Sequence, residues 1–262
     1  MSTHDSPLDH FEQWLIKVLS HRQHLDIPQV YQTSTISALL DGVYDGDVTI
    51  AEILRHGDFG LGTFNGLDGE MVILDGICYH LHADGTATKA SPADRTPFCA
   101  VTRFHANTKH AVEQPSSRAQ VLGIVDDALD SANLIHAVKI TGTFTNLHTR
   151  TVTEQIKPYP PLTAATEGQA ETTFDRVSGV MVGFRTPELG QGISVAGYHL
   201  HFLDDPRTRG GHVLDFRLDC GEVAVSTESE LHLSLPTNPE FLRAKLTATD
   251  MGEQIRRAEG GN

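Results

Sequence analysis

Three histidines stand out as residues whose type and spacing invite chemistry. His199 and His201 sit in Gly197-Tyr198-His199-Leu200-His201, and His212 follows Asp204-Asp205-Pro206 and Gly210-Gly211. In an extended strand, residues two apart point to one face, so His199 and His201 present two imidazoles side by side. Asp-Asp-Pro and Gly-Gly read as a chain reversal. A hairpin pairing position 201 with position 212 brings the third imidazole onto the same face. Three imidazoles around one point, with a fourth position open, form the layout of a catalytic zinc site. Asp204, Asp205 or a backbone carbonyl can accept the other ring N–H groups and fix each tautomer.

The chain has fifteen histidines, so the pattern matters more than the residue type. Tyr79-His80-Leu81-His82 repeats the tetrapeptide of the first motif, but the next histidine is His105. This second copy reads as an exposed strand face ahead of the turn Ala83-Asp84-Gly85. Each copy follows a Gly-rich apolar stretch, which points to two related β-rich halves with chemistry in the second.

Charged residues elsewhere suit work around a metal. Glu70 shares a strand face with Val72 and Leu74; burial there raises a carboxyl pKa and favours proton transfer. Taken alone, its place beside a turn reads as a solvated strand end. Arg150 shares a face with His148 and Val152, and an arginine there can clamp a carboxylate through two parallel hydrogen bonds. By itself it reads as an exposed edge-strand residue. Glu259, in Ala258-Glu259-Gly260, reads as part of a frayed tail.

The elements that must position these groups are mostly strands. Residues 9–25 predict an amphipathic helix capped by Asp9, with Phe11, Trp14, Leu15, Val18 and Leu19 on one side. Short helices are predicted over Ile36–Leu40 and after the capping box Thr49-Ile50-Ala51-Glu52. Asp68-Gly69 predicts a tight hairpin turn between strands Leu61–Asn65 and Glu70–Asp75. Further strands fall near 76–82, 98–105, 137–144 and 148–153, with a helix over Ser117–Leu129. Residues 154–174, with Pro158, Pro160 and Pro161, read as a long loop. Strands near 177–185, 193–203, 211–218 and 222–235 follow, then helices near 239–246 and 249–257. The expected class is α+β, with two β-rich parts of mixed or antiparallel sheet, a few short helices and the zinc site in the C-terminal part. The expected parts are a helical extension over 1–28, an α/β part over 29–153 and a β-rich part over 154–262.

Composition narrows the functions. A net charge of −14 repels phosphates and argues against a nucleic-acid partner. Three cysteines without C-x-x-C spacing argue against a disulfide scaffold and Cys-ligated zinc. No apolar run reaches the ~20 residues that span a bilayer, and no basic-then-apolar export signal appears at the N-terminus, so a cytoplasmic protein without a membrane partner is expected. Phosphate-cradling glycine motifs are absent.

With these residues laid out, the chain resembles alpha-acetolactate decarboxylase from about Val30 to the C-terminus. The likeness rests on Gln32-Thr33-Ser34-Thr35-Ile36-Ser37-Ala38-Leu39-Leu40-Asp41-Gly42, on Gly57-Asp58-Phe59-Gly60-Leu61-Gly62-Thr63-Phe64 and on Leu67-Asp68-Gly69-Glu70-Met71. It continues through Gly142-Thr143-Phe144 with Arg150 to the three-histidine segment. The resemblance implies a zinc-dependent carboxy-lyase, usually a homodimer, that converts 2-acetolactate to acetoin and carbon dioxide. It implies an enediolate stabilised by Zn2+ at His199, His201 and His212 and protonated on one face. Thr63, Glu70 and Arg150 match the family's active-site Thr, Glu and Arg. Its C-terminal Glu matches Glu259, with Glu253 as the other candidate because the matched tail is short. The competing readings are a cupin-like metal-dependent oxygenase or isomerase and a non-catalytic binding module. Cupins add a Glu a few residues after the His pair, where this chain has Leu203, Asp204 and Asp205. Histidine ligands alone suit Zn, Fe, Ni and Cu.

Overall fold

The computed structural model describes residues 28–247 and 251–259, and the helix expected over 9–25 lies outside the described residues. The architecture is the expected strand-rich α+β class with short helices. One sheet runs in the order β15 (Glu230–Ser234), β1 (Gln29–Thr33), β8 (Phe98–Thr102), β3 (Phe59–Thr63), β4 (Glu70–Leu74), β5 (Ile77–Leu81) and β6 (Ala87–Lys89). Only the β1–β15 pairing is parallel in this sheet, so it is mixed. The second sheet, antiparallel throughout, centres on β14 (Gly210–Glu228), flanked by β9 (Thr108–Val112) and β10 (Ser116–Ser117). β14 pairs with β11 (Ile135–Thr151), β11 with β12 (Ala170–Thr186), and β12 with β13 (Gly197–Asp204). β13 pairs back onto β14, so these four strands close into a ring. A short pair, β2 (Val48–Thr49) with β7 (Arg95–Thr96), lies apart from both sheets.

Alternation along the strands decides which residues meet between the sheets. In β4, Val72 and Leu74 enter the inter-sheet core with Phe59 and Leu61 of β3, while Met71 and Ile73 pack on the opposite face. Val180, Val182 and Phe184 of β12 and Leu203 of β13 meet them from the second sheet. Thr63 continues the row of Phe59 and Leu61. Glu70 continues the row of Val72 and Leu74, and His199 and His201 continue that of Leu203. The polar site groups are therefore the ends of apolar rows, carried to the rim of one shared core.

Short helices pack around the two sheets. α1 (Ile36–Leu40) is capped by Thr35, whose side chain accepts from the Ala38 N–H, and all five of its residues are buried. α2 (Ile50–Ile53) starts at the predicted capping box. α3 (Arg118–Asp127) starts at a second box, formed by Ser117 and Gln120, and buries Val121, Leu122 and Val125. α4 (Leu162–Ala165), α5 (Pro239–Arg243) and α6 (Met251–Glu259) complete the described helices. None of the described helices is long and apolar enough to cross a membrane.

Several elements differ from the sequence expectation for identifiable reasons. The β3–β4 connection is longer than an Asp-Gly turn: Asn65–Leu67 forms a 3-10 turn, and Gly69 sits at φ +71° before β4. The two-residue Asp-Gly hairpin is Asp75–Gly76, where both residues take positive φ, between the paired Leu74 and Ile77. The strands expected near 137–144 and 148–153 are one strand, β11, whose register against β14 shifts at three places. Such irregularities break the alternation that reveals a strand. Those expected near 211–218 and 222–235 are likewise one long β14 followed by β15. The expected loop over 154–174 holds α4 and the first residues of β12. His80 and His82 are half-buried rather than exposed: their rings lie 4.0 Å apart, and His80 also stacks on Phe64.

Candidate metal centre and active site

The β13–β14 hairpin forms in the expected register, with His201 opposite His212. The turn between them is tied by Asp204, whose carboxylate accepts from the Thr208 N–H at 2.7 Å and the Arg209 N–H at 3.1 Å. Asp204 is thus spent on the turn and does not orient an imidazole. Gly210 and Gly211 lie within β14 rather than in the reversal. A methyl group on Gly211 would press on the carbonyl of Arg150, and one on Gly210 on that of Phe202. Gly183 of β12 is constrained in the same way, because a methyl group there would run into the carbonyl of His199. Gly183→Ala is expected to push β13 outward, costing about 1–3 kcal/mol of stability and weakening metal retention. Unfolding curves and metal analysis check this, and an unchanged variant would show that β13 has room to spare.

His199, His201 and His212 are all buried, at 8%, 0% and 3% exposure. Their candidate ligand atoms all lie within 4.8 Å of one another. The Nε2 atoms of His199 and His201 are 3.2 Å apart. Ligand nitrogens about 2.0–2.1 Å from a tetrahedral zinc are separated by about 3.3 Å, so this pair fits without rearrangement. The tautomers fit too. Nδ1 of His201 lies 2.8 Å from the Met71 carbonyl, and Nε2 of His212 lies 3.0 Å from the Glu259 carbonyl. A carbonyl only accepts, so these nitrogens carry the protons. Nε2 of His201 and Nδ1 of His212 are left as bare donors for a cation. Burial, reinforced by the nearby Arg150 charge, pushes His199 down to about 3. Burial does the same to His201, also to about 3, and places His212 well below the ordinary imidazole value. The rings are therefore neutral at ordinary pH, as metal ligation requires.

Two carboxyl groups and a guanidinium line the same space. Glu70 is buried, with Oε2 3.6 Å from Nε2 of His201. Burial pushes its pKa up to about 8; the neighbouring Glu259 adds to this, while Arg150 and the Val152 N–H oppose it. Glu259 is brought in by α6, which docks through Ile255 and Ala258 against Ile36, Leu39 and Phe98. Burying Ile255 contributes about 2 kcal/mol to that docking. Oε2 of Glu259 lies 3.4 Å from Nη2 of Arg150 and 3.7 Å from both Nε2 of His199 and Nδ1 of His212. Burial raises the Glu259 pKa, and Arg150 holds it back. Glu253, the other tail candidate, is exposed on the same helix.

Arg150 is not on an edge strand. It lies on β11 between Glu171 of β12 and His212 of β14, at 4% exposure. Thr63 is buried opposite Glu70, and its hydroxyl donates to the Gly69 carbonyl at 2.7 Å. A cavity lined by Thr63, Glu70, Arg150, His199 and Glu259 gathers these groups under apolar walls that include Ile36, Leu39 and Leu162. A more spacious cavity near Val30, Phe184 and Leu231 contains none of them. Of the tautomer-fixing partners expected, backbone carbonyls take the role, those of Met71 and Glu259, while Gln169, which bonds Arg150, was not expected. Gln169 falls in the stretch read as a loop, and carbonyls leave no trace in residue type.

Fold and site together define a strand-rich α+β protein in which three buried imidazoles that could hold a metal ion stand beside an arginine and two carboxyl groups. The alpha-acetolactate decarboxylase family model matches residues 30–248. The chain belongs to that family of carboxy-lyases. It is 44% identical over 246 residues to the alpha-acetolactate decarboxylase of Bacillus subtilis (strain 168), covering 94% of this chain and 96% of that one. It is 46% identical over 230 residues to the enzyme of Klebsiella aerogenes, covering 88% of each. The crystal structure of the Bacillus subtilis strain 168 protein superposes with a TM-score of 0.87, covering 89% of this chain and all of that one.

Proposed function

We propose that this chain decarboxylates 2-acetolactate to acetoin and carbon dioxide, with zinc held by His199, His201 and His212. The observation that carries the reading is the convergence of three buried imidazoles with one guanidinium and two carboxyl groups, at a cavity lined by His199, Arg150, Glu70 and Glu259. His199, His201 and His212 would hold the zinc, which would supply a Lewis acid for the negative charge that develops as carbon dioxide leaves. Arg150 takes the substrate carboxylate, and this contact weakens as neutral carbon dioxide departs. Loss of carbon dioxide leaves an electron pair conjugated with the ketone, an enediolate whose carbon must gain a proton. The two carboxyl groups divide the work. Glu259 faces Arg150, whose charge opposes the rise that burial causes in its pKa and makes it the less strongly proton-holding of the two. Glu70 holds its proton near neutral pH and gives it to that carbon from one side, which sets the handedness of acetoin. Thr63 steadies the link into β4 and so the position of Glu70.

The test is incubation with racemic acetolactate, measuring acetoin before chelation, after chelation and after zinc is restored. Acetoin formation is expected to stop with the chelator and return with zinc. A fully metal-loaded protein that forms no acetoin would refute the reading. The same reading makes the protein a homodimer, and a single-subunit mass in sedimentation would remove the dimer. The position where a cupin carries its extra Glu ligand holds Asp204, which serves the β13–β14 turn instead.

A further inference from the structure

Arg150 is buried, and its side chain has one short hydrogen bond. Nη1 donates to Oε1 of Gln169 at 2.9 Å. The contact of Nη2 with Glu259 is longer, at 3.4 Å. Nη2 also lies 3.4 Å from Nε2 of His212, but that nitrogen already carries a proton for the Glu259 carbonyl, so the approach is a contact between two donors. Nε has no partner and is buried. A guanidinium carries five N–H donors, so this one is anchored at one nitrogen and left with donors to spare. Gln169 ends the 3-10 turn Thr166–Gly168 that follows α4 and leads into β12 at Ala170.

The chemical type of the anchor matters. An amide oxygen holds Nη1 without cancelling the charge on the guanidinium. A carboxylate at the same place would be a third acid beside one arginine, after Glu70 and Glu259, and would compete directly with an anionic substrate. We infer that Gln169 is a positioning residue, a neutral tether that aims the Arg150 guanidinium at the substrate carboxylate without adding a further negative charge beside it. The inference rests on the proposed role of Arg150 in the decarboxylation.

The zinc-loaded protein tests it through two ligands that differ in the carboxylate. One is 2-hydroxy-2-methylpropanoate, a carboxylate analogue of the substrate, and the other is acetoin, the neutral product. Gln169→Glu keeps the shape and adds a charge; it is expected to raise the inhibition constant of the carboxylate and the substrate KM about ten-fold. Inhibition by acetoin should change less than about two-fold. Gln169→Ala, which frees the guanidinium, should shift the carboxylate several-fold and acetoin little. Equal shifts for both ligands would mean a merely structural role, and no shift for either would mean that the tether is idle; both outcomes overturn the inference. Arg150→Ala separates it from the reading beneath it. If that variant leaves carboxylate binding intact, the role of Arg150 itself is wrong. If it weakens carboxylate binding while the Gln169 variants do not, only the tether is wrong.

Discussion

Replacing His201 with alanine is expected to strip the protein of its cation and lower turnover about a thousand-fold. The ring is fully buried, its Nδ1–H is committed to the Met71 carbonyl, and its Nε2 faces His199 across 3.2 Å. No rearrangement of His199 and His212 alone restores three donors. Lewis-acid stabilisation of transition-state charge is worth several kcal/mol, and each ~1.4 kcal/mol is a factor of ten in rate. Metal content after desalting and kcat in excess zinc are the two measurements. His80→Ala, in the sister motif, should keep both near normal, since among the described residues no third imidazole joins His80 and His82. A metal-loaded, active His201→Ala protein would remove His201 from the ligand set. Acid stability gives a second readout on the metal-free protein. An imidazole that stays neutral in the folded state down to about 3 takes up its proton on unfolding below about 6.5. Its contribution is therefore complete above about pH 6.5 and is lost as pH falls toward 3, by up to ~1.4 kcal/mol per pH unit per ring. The alanine variant should show a shallower acid dependence than the parent.

The three histidines were legible because everything that unites them is local: strand alternation, a turn signature and a hairpin register within a short stretch of chain. Glu70 was legible as a position in an apolar row but not as a buried group. Its cover comes from β13 and α6, far along the sequence. Arg150 read as an edge residue because β11 shifts register at residues 143/144, 145/148 and 148/149, which hides its continuity and its central place. Glu259 read as tail because the docking of Ile255 and Ala258 depends on α1, at the other end of the described chain. Two Asp-Gly pairs show the limit of turn signals. Asp75–Gly76 makes the tight turn, whereas Asp68–Gly69 closes a wider connection whose Leu67 and Gly66 also take positive φ. Which strands share a sheet was the least legible feature. The β1–β15 pairing joins the first and last strands of the described chain, and no local pattern encodes it.

Glu70→Gln isolates the proton from every other property of that side chain. The amide has nearly the same shape and can still accept from the Val152 N–H, but it has no acidic proton to give. Loss of a positioned general acid slows turnover by about 10²–10⁴-fold, so a fall of that size is expected in kcat with zinc content unchanged. The pH profile carries the sign. Burial keeps this carboxyl protonated to a higher pH than an ordinary one, and zinc bound at His201 would draw that pH back down. Parent turnover should therefore decline on the alkaline side as the acid form is lost, and the residual rate of Glu70→Gln should lack that limb. Deuterium oxide adds a stereochemical measurement: acetoin formed by the parent should carry deuterium at its chiral carbon with one handedness. The slow product of the variant should be closer to racemic, because solvent can then reach the carbon from either side. If Glu70→Gln retained full rate and full handedness, the proton would have to come from Glu259. That group would then be required to lose its ion-pair contact with Arg150 before each turnover, and Glu259→Gln, rather than Glu70→Gln, would show the collapse in kcat.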